Sequence, residues 1–163
     1  MGAFALAGCS APESATEERA NSERSAAETV RARAARDSEE LGARYDAVIA
    51  AHPGLADRLA PLRADVTRHV SAFAGPASPK SARSPSPTAG SGSPSASGSP
   101  VPSDGKAALL ALAEQERRLA DRRTKALPKV PGELARLLAS VAAAGAAHVY
   151  LLSESAKAVE GDT

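Results

Sequence analysis

Residues 75–105 are almost entirely Ser, Pro, Gly and Ala, and nothing else in the chain limits its folding as much. Such a stretch buries too little apolar surface to offset the entropy of ordering it, so it reads as a disordered linker. On either side the pattern changes to helical spacing. In the first half Leu41, Tyr45, Val48 and Ile49 follow the i, i+4, i+7, i+8 rule, and Pro53-Gly54 breaks the run. Leu55, Leu59, Leu62, Val66, Val70 and Phe73 then form a second stripe, with Pro61 inside it as a kink or a restart. In the second half Leu109, Leu112 or Ala113, Leu119 and Leu127 mark one helix, which Pro128 and Pro131-Gly132 end. Leu134, Leu137, Leu138, Val141, Gly145, His148 and Leu152 mark the next. β-Branched residues are few and nothing alternates, so no strands are expected.

The two halves resemble each other. Leu41, Arg44, Ile49 and Pro53-Gly54 match Leu119, Arg122, Leu127 and Pro131-Gly132 at one fixed offset. One residue further on, Leu55, Leu59, His69 and Val70 match Leu134, Leu138, His148 and Val149. A duplicated helical hairpin follows, and two amphipathic hairpins bury their stripes best against each other as a four-helix bundle. The expected fold is therefore all-α, with two hairpins joined by a long disordered linker. Helices of roughly 20 residues are about 30 Å long, and a flexible linker of roughly 30 residues reaches about as far. Up-down and ferritin-type connections both remain open.

Composition narrows the function. Lys and Arg number 20 against 19 Asp and Glu, and two Tyr, two Phe and no Trp leave no stacking platform, so nucleic acid is not an expected partner. One Cys excludes an internal disulfide and a zinc ribbon. No apolar run approaches the roughly 20 residues of a membrane-spanning helix. There is no Gly-x-Ser-x-Gly and no Gly-rich phosphate loop. The expectation is a protein without enzymatic activity or cofactor.

The single Cys sits in Leu6-Ala7-Gly8-Cys9, which resembles the lipobox of bacterial lipoproteins, acylated on the Cys and cut just before it. A polar stretch over residues 10–28 would serve as a spacer off a membrane. Met1-Gly2-Ala3-Phe4-Ala5 lacks the basic start and the apolar run of roughly 7–15 residues that a secretory signal requires. Residues 1–8 thus read as a truncated lipoprotein signal, the alternative being a fortuitous match in a cytoplasmic protein. The expected division is 9–28 polar tether, 29–74 first hairpin, 75–105 linker and 106–158 second hairpin.

With this leader stand Tyr45-Asp46, His52-Pro53-Gly54-Leu55-Ala56-Asp57-Arg58-Leu59, Pro61-Leu62-Arg63 and His69 in the first half. Glu114-Gln115-Glu116-Arg117-Arg118, Leu134-Ala135-Arg136-Leu137-Leu138-Ala139-Ser140-Val141-Ala142-Ala143 and His148 follow in the second. The set resembles uncharacterised actinobacterial lipoproteins, which are distantly similar to ferritin-like bundles. The resemblance implies a lipid anchor at Cys9 on the extracytoplasmic face of the cell membrane, and it carries no activity.

A ferritin-like di-iron centre needs Glu-x-x-His on two helices. The residues three before His69 and His148 are Val66 and Gly145, so two of the carboxylates a standard centre requires are missing and none is expected. Glu116 and His148 nevertheless lie about equally far from the Pro131-Gly132 turn, both on the apolar stripes of their helices. The same count back from His69 reaches Ser38, flanked by Asp37 and Glu39. Either the bundle holds a buried polar layer that fixes register, or His69, Glu116 and His148 form a weak transition-metal site. His52 reads as a helix-end residue favoured by the dipole, and Asp65 with His69 as a solvated i, i+4 pair. The charge run from Glu114 to Arg123 reads as an exposed face laced by ion pairs, with docking of an unknown protein partner as the alternative.

Overall fold

Helical periodicity and the Pro-Gly breaks produce the elements seen in the computed structural model, which describes residues 13–75 and 100–160. Cys9, the signal segment and residues 76–99 lie outside the described residues. The chain is all-α: among the described residues there are four α-helices and no strand. Helix α1 spans Glu13–Ala51, α2 Ala56–Ala74, α3 Gly105–Ala126 and α4 Gly132–Glu160, with 3₁₀ turns at Pro53–Leu55 and Leu127–Lys129. Both 3₁₀ turns carry Pro in their first two positions, where its missing N–H costs no helical bond. Helix α2 runs through Pro61 as one element. Gly75 ends it with φ at +75°, a conformation that L side chains rarely adopt.

Two boundaries differ from the sequence reading. The polar residues from Glu13 on are helical and continue into α1. They bury almost nothing, so burial could not mark them, and the helix there is carried by Ala, Glu and Arg propensity. The end of the linker is ordered: the Pro100 carbonyl accepts from Arg44, the Pro102 carbonyl from His52, and Asp104 caps α3 by accepting from the Ala107 N–H at 2.7 Å.

Helix α1 pairs with α2 and α3 with α4, and the hairpins meet through α1 on α3 and α2 on α4. Tyr45 faces Glu116 while Ser38 faces Arg123, so α1 and α3 are antiparallel. Asp65 faces His148 while Arg58 shares a groove with Ser155 and Ala158, so α2 and α4 are antiparallel too. It follows that α2 and α3 run parallel. The core falls into two clusters. One gathers Leu41, Val48, Leu59, Val66, Leu109, Leu112 and Leu152; the other holds Ala34, Phe73, Leu134, Leu138 and Val141. Each fully buried Leu stabilises the fold by about 1.5–3 kcal/mol.

The repeat extends further than the sequence suggested. Ser38 and Glu116 stand 78 residues apart, as do Leu41 and Leu119, and Tyr45 and Arg123, and all six are buried. Leu55, Leu59, Leu62 and Phe73 match Leu134, Leu138, Val141 and Leu152 at an offset of 79, again all buried.

Helix α4 is, over Gly132–Val159, long and apolar enough to cross a membrane by length and composition, unlike the sequence expectation. Alanine raises its hydropathy without an unbroken run of large apolar residues. A third of its most apolar 18-residue window is buried in the bundle, where α4 packs against α3 and α2.

The helix directions yield a test. Gly75 lies beside the Arg31 guanidinium, whereas Pro100 is held by Arg44. Thirteen helical residues separate these levels of α1, about 20 Å. Deleting 12 of the 24 residues between Gly75 and Pro100 leaves a reach of about 40 Å, and the melting temperature should hardly change. Deleting 22 leaves about 10 Å and should abolish the monomeric bundle. Circular-dichroism melts and light scattering read both, and a stable monomer after the larger deletion would show that α2 and α3 are not parallel.

Candidate functional site: a buried polar cluster between the two cores

Between the two apolar clusters lie the buried polar side chains Ser38, Glu116, Arg123 and His148. Three of them stand on the apolar stripes of α3 and α4, and the bundle therefore encloses them. The Glu116 carboxylate is 1 % exposed. Its Oε1 accepts from the Tyr45 hydroxyl at 3.0 Å and from His148 Nδ1 at 2.8 Å. The second ring nitrogen of His148 lies 3.4 Å from Asp65 Oδ2, and Asp65 also pairs with Arg68. One chain of contacts thus joins all four helices, from Tyr45 on α1 through Glu116 on α3 and His148 on α4 to Asp65 on α2. Gly145 makes room for it: a Cβ there would lie 3.2 Å from Glu116 Oε2.

The pseudo-repeat supplies a second limb. Arg123, the counterpart of Tyr45, donates at 2.7 Å to the hydroxyl of Ser38, the counterpart of Glu116. Ser38 in turn donates to the Ala34 carbonyl at 2.9 Å. The Arg123 guanidinium also sits 5.7 Å from the centre of the Phe73 ring, a cation–π distance. His69 stacks on His148, its repeat partner, with ring centres 6.3 Å apart and planes inclined by 26°.

The electrostatics follow from burial. Desolvation, then the Glu116 charge and the hydrogen bond to it, hold the Tyr45 hydroxyl protonated far above the ordinary phenol range. Burial lowers the Arg123 guanidinium, opposed by Glu116 and Asp37. His69 is pushed down to about 4, first by burial, then by the Arg123 charge and by His148, with Glu116 acting the other way and Arg68 adding a smaller lowering.

Glu116 and His148, paired in the sequence reading, do meet. His69 joins them through its ring face. Among the described residues no group of three or more His, Cys, Asp and Glu side chains is arranged to hold a metal ion. Both His148 nitrogens face carboxylates, as a hydrogen-bonded layer requires. Asp65 turns to His148 and Arg68 rather than to His69, and Glu39 is exposed. His52 is more than a helix-end residue, since its Nε2 lies 2.8 Å from the Pro102 carbonyl and ties the first turn to the segment entering α3. The charge run is only partly a solvated face. Glu114 pairs with Arg117 and Arg118 in the open, but Glu116 and Arg123 within the run are buried. Sequence reasoning missed Tyr45 and Arg123 as polar partners, although Tyr45 lay on the apolar stripe and Arg123 stands seven residues, two helical turns, past Glu116.

Comparison with protein-family models, curated proteins and solved structures found no match. The cluster is a hydrogen-bonded network that links all four helices.

Two outcomes are expected. Glu116→Ala and His148→Ala should each destabilise by about 1–3 kcal/mol, because each leaves a buried partner unpaired. The double variant should cost less than the sum, and additivity in urea melts would deny the coupling. For pH, the unfolded His69 titrates near 6.5 and the folded one at about 4, so the unfolded chain binds the proton more readily. The stability this residue contributes is intact above pH 6.5 and is lost as pH falls from 6.5 towards 4. Melting temperature should therefore drop more between pH 6.5 and 5 in the wild type than in His69→Asn. Equal slopes would refute the assignment.

Proposed function

We propose that this is a lipid-anchored protein of the extracytoplasmic membrane face, whose helical bundle has a non-enzymatic binding or structural role. The observation that carries this is the placement of Cys9. The only cysteine of the chain, in Leu6-Ala7-Gly8-Cys9, lies four residues before α1 begins at Glu13. Residues 15–26 of α1 are exposed or nearly so, and the first contacts with the core come at Ala27 and Val30. About 20 Å of polar helix therefore separates the acylation site from the bundle. A helix without an apolar face has no core to join, and as a rigid stalk it holds the bundle clear of a lipid surface.

A second reading has its own support. Parallel α2 and α3 joined by a long connection are the topology of ferritin-like bundles, and Glu116 with His148 stands where such folds place interior ligands. On this reading the protein is a degenerate ferritin-like bundle, and any metal it takes is held weakly. Metal analysis of the purified chain separates the two readings.

Expressed behind a functional secretory signal in a bacterium that processes lipoproteins, the wild type should partition with membranes and into detergent. Cys9→Ala should be released or left unprocessed. Equal membrane association of the two would overturn the anchor.

A further inference from the structure

A groove of about 310 Å³ opens between α1 and the end of α3. Its wall includes Arg33 on α1 and Arg122, Arg123, Lys125 and Lys129 from α3 and the turn after it, against one carboxylate, Asp37. Asp37 is already committed, 3.4 Å from Arg122. Val30, Ala34, Ala126 and Leu138 supply an apolar side. Basic residues at a helix C-terminus are ordinary, since they meet the negative end of the dipole. That accounts for Lys125 and Lys129. Arg123 stands in the same last turn of α3, but the dipole does not explain its burial, nor does it account for Arg33, which belongs to another helix.

Arg123 is the telling residue. It is 4 % exposed, yet among the described residues it forms no ion pair, and the Glu116 and Asp37 charges act on it only from a distance. One guanidinium nitrogen donates to the neutral Ser38 hydroxyl, and its buried Nε has no hydrogen-bond partner. A buried cation is costly unless paired and hydrogen-bonded, and a guanidinium offers five donors in a planar fork suited to two oxygens at once. Five cations facing one engaged carboxylate suit a multiply charged anion better than a single carboxylate.

We propose that this groove is a phosphate-binding site, with Arg123 at its floor, Arg33 and Lys129 at its rim, and an apolar side that accepts the organic part of a phosphate ester. The phosphate comes either from a soluble ester or from a lipid headgroup. The chemistry is shared, and binding is a non-covalent exchange of water and chloride for phosphate oxygens.

The full chain carrying Cys9→Ser, so that no anchor intervenes, tests it at constant ionic strength. Calorimetry with inorganic phosphate and flotation with vesicles of phosphatidylglycerol in phosphatidylcholine are the two arms. A saturable response to phosphate above that to chloride is expected whichever the source; flotation with phosphatidylglycerol but not with phosphatidylcholine alone assigns it to a lipid headgroup, and no flotation to a soluble ester. Arg123→Met should weaken that response roughly tenfold or more, the loss of one charge-assisted bond. Arg33→Ala with Lys129→Ala changes only exposed side chains, keeps the bundle folded, and should also weaken it several-fold even if Arg123→Met proves unstable. No response in either arm, or a response unchanged in the rim variant, would overturn the site.

Discussion

The Glu116 carboxylate is the contact on which the rest of the bundle depends. Moving an ionised carboxyl from water into an apolar interior costs several kcal/mol even after relaxation, so it stays there only if its oxygens are hydrogen-bonded. Tyr45 and His148 supply those bonds from two other helices, and His148 extends the contact to Asp65 on the fourth. A slip of any helix by one residue would turn one of these groups away and leave a buried polar atom unpaired. Apolar clusters alone tolerate such slips, because leucines pack with many registers. The polar layer between them selects one, which is the best-attested use of buried ionic groups.

The two limbs of that layer show how a repeated pattern has been divided between tasks. The repeat places Tyr45 and Arg123, and Ser38 and Glu116, in equivalent positions, and in both limbs a residue on one hairpin donates to its partner on the other. On one limb a neutral phenol meets a carboxylate. On the other a cation meets a neutral hydroxyl, and among the described residues it forms no ion pair. His69 and His148 stack where the two copies meet, and burial, helped by the nearby Arg123 charge, lowers the His69 pKa. The first limb is closed and holds register. The second remains electrostatically open beside a basic groove, and that asymmetry makes it the place where a ligand has something to add.

Helix α1 is twice as long as α2, 39 residues against 19, and its residues 15–26 make no contact with the core. Its outer part is held by local helix propensity and not by burial, which suits a spacer. Beyond residue 27 the same helix becomes a bundle element, with Val30 and Ala34 on the smaller core and on the groove. The groove therefore sits where the exposed and the bundled parts of α1 join.

How much of this was legible in the sequence depends on the range of the interaction. Local interactions decide whether a segment is helical and where Pro and Gly end it, so the four helices and both turns follow from Pro53-Gly54, Pro131-Gly132 and the leucine stripes. The meeting of Glu116 with His148 was also legible, because equal distance from a hairpin turn puts two residues at one level of adjacent antiparallel helices. The contacts between hairpins were not. Nothing in the chain says that Tyr45 faces Glu116, that Arg123 faces Ser38, or that α2 and α3 run parallel, because two hairpins can dock in more than one direction with similar apolar burial. The start of α1 escaped for the opposite reason, since a polar helix carries no hydrophobic period to read. Sequence by itself determined the helices and the polar residues they enclose. Only tertiary structure decided which of those residues satisfy one another, because a buried hydrogen bond is set by the packing of whole helices and not by the spacing along any one of them.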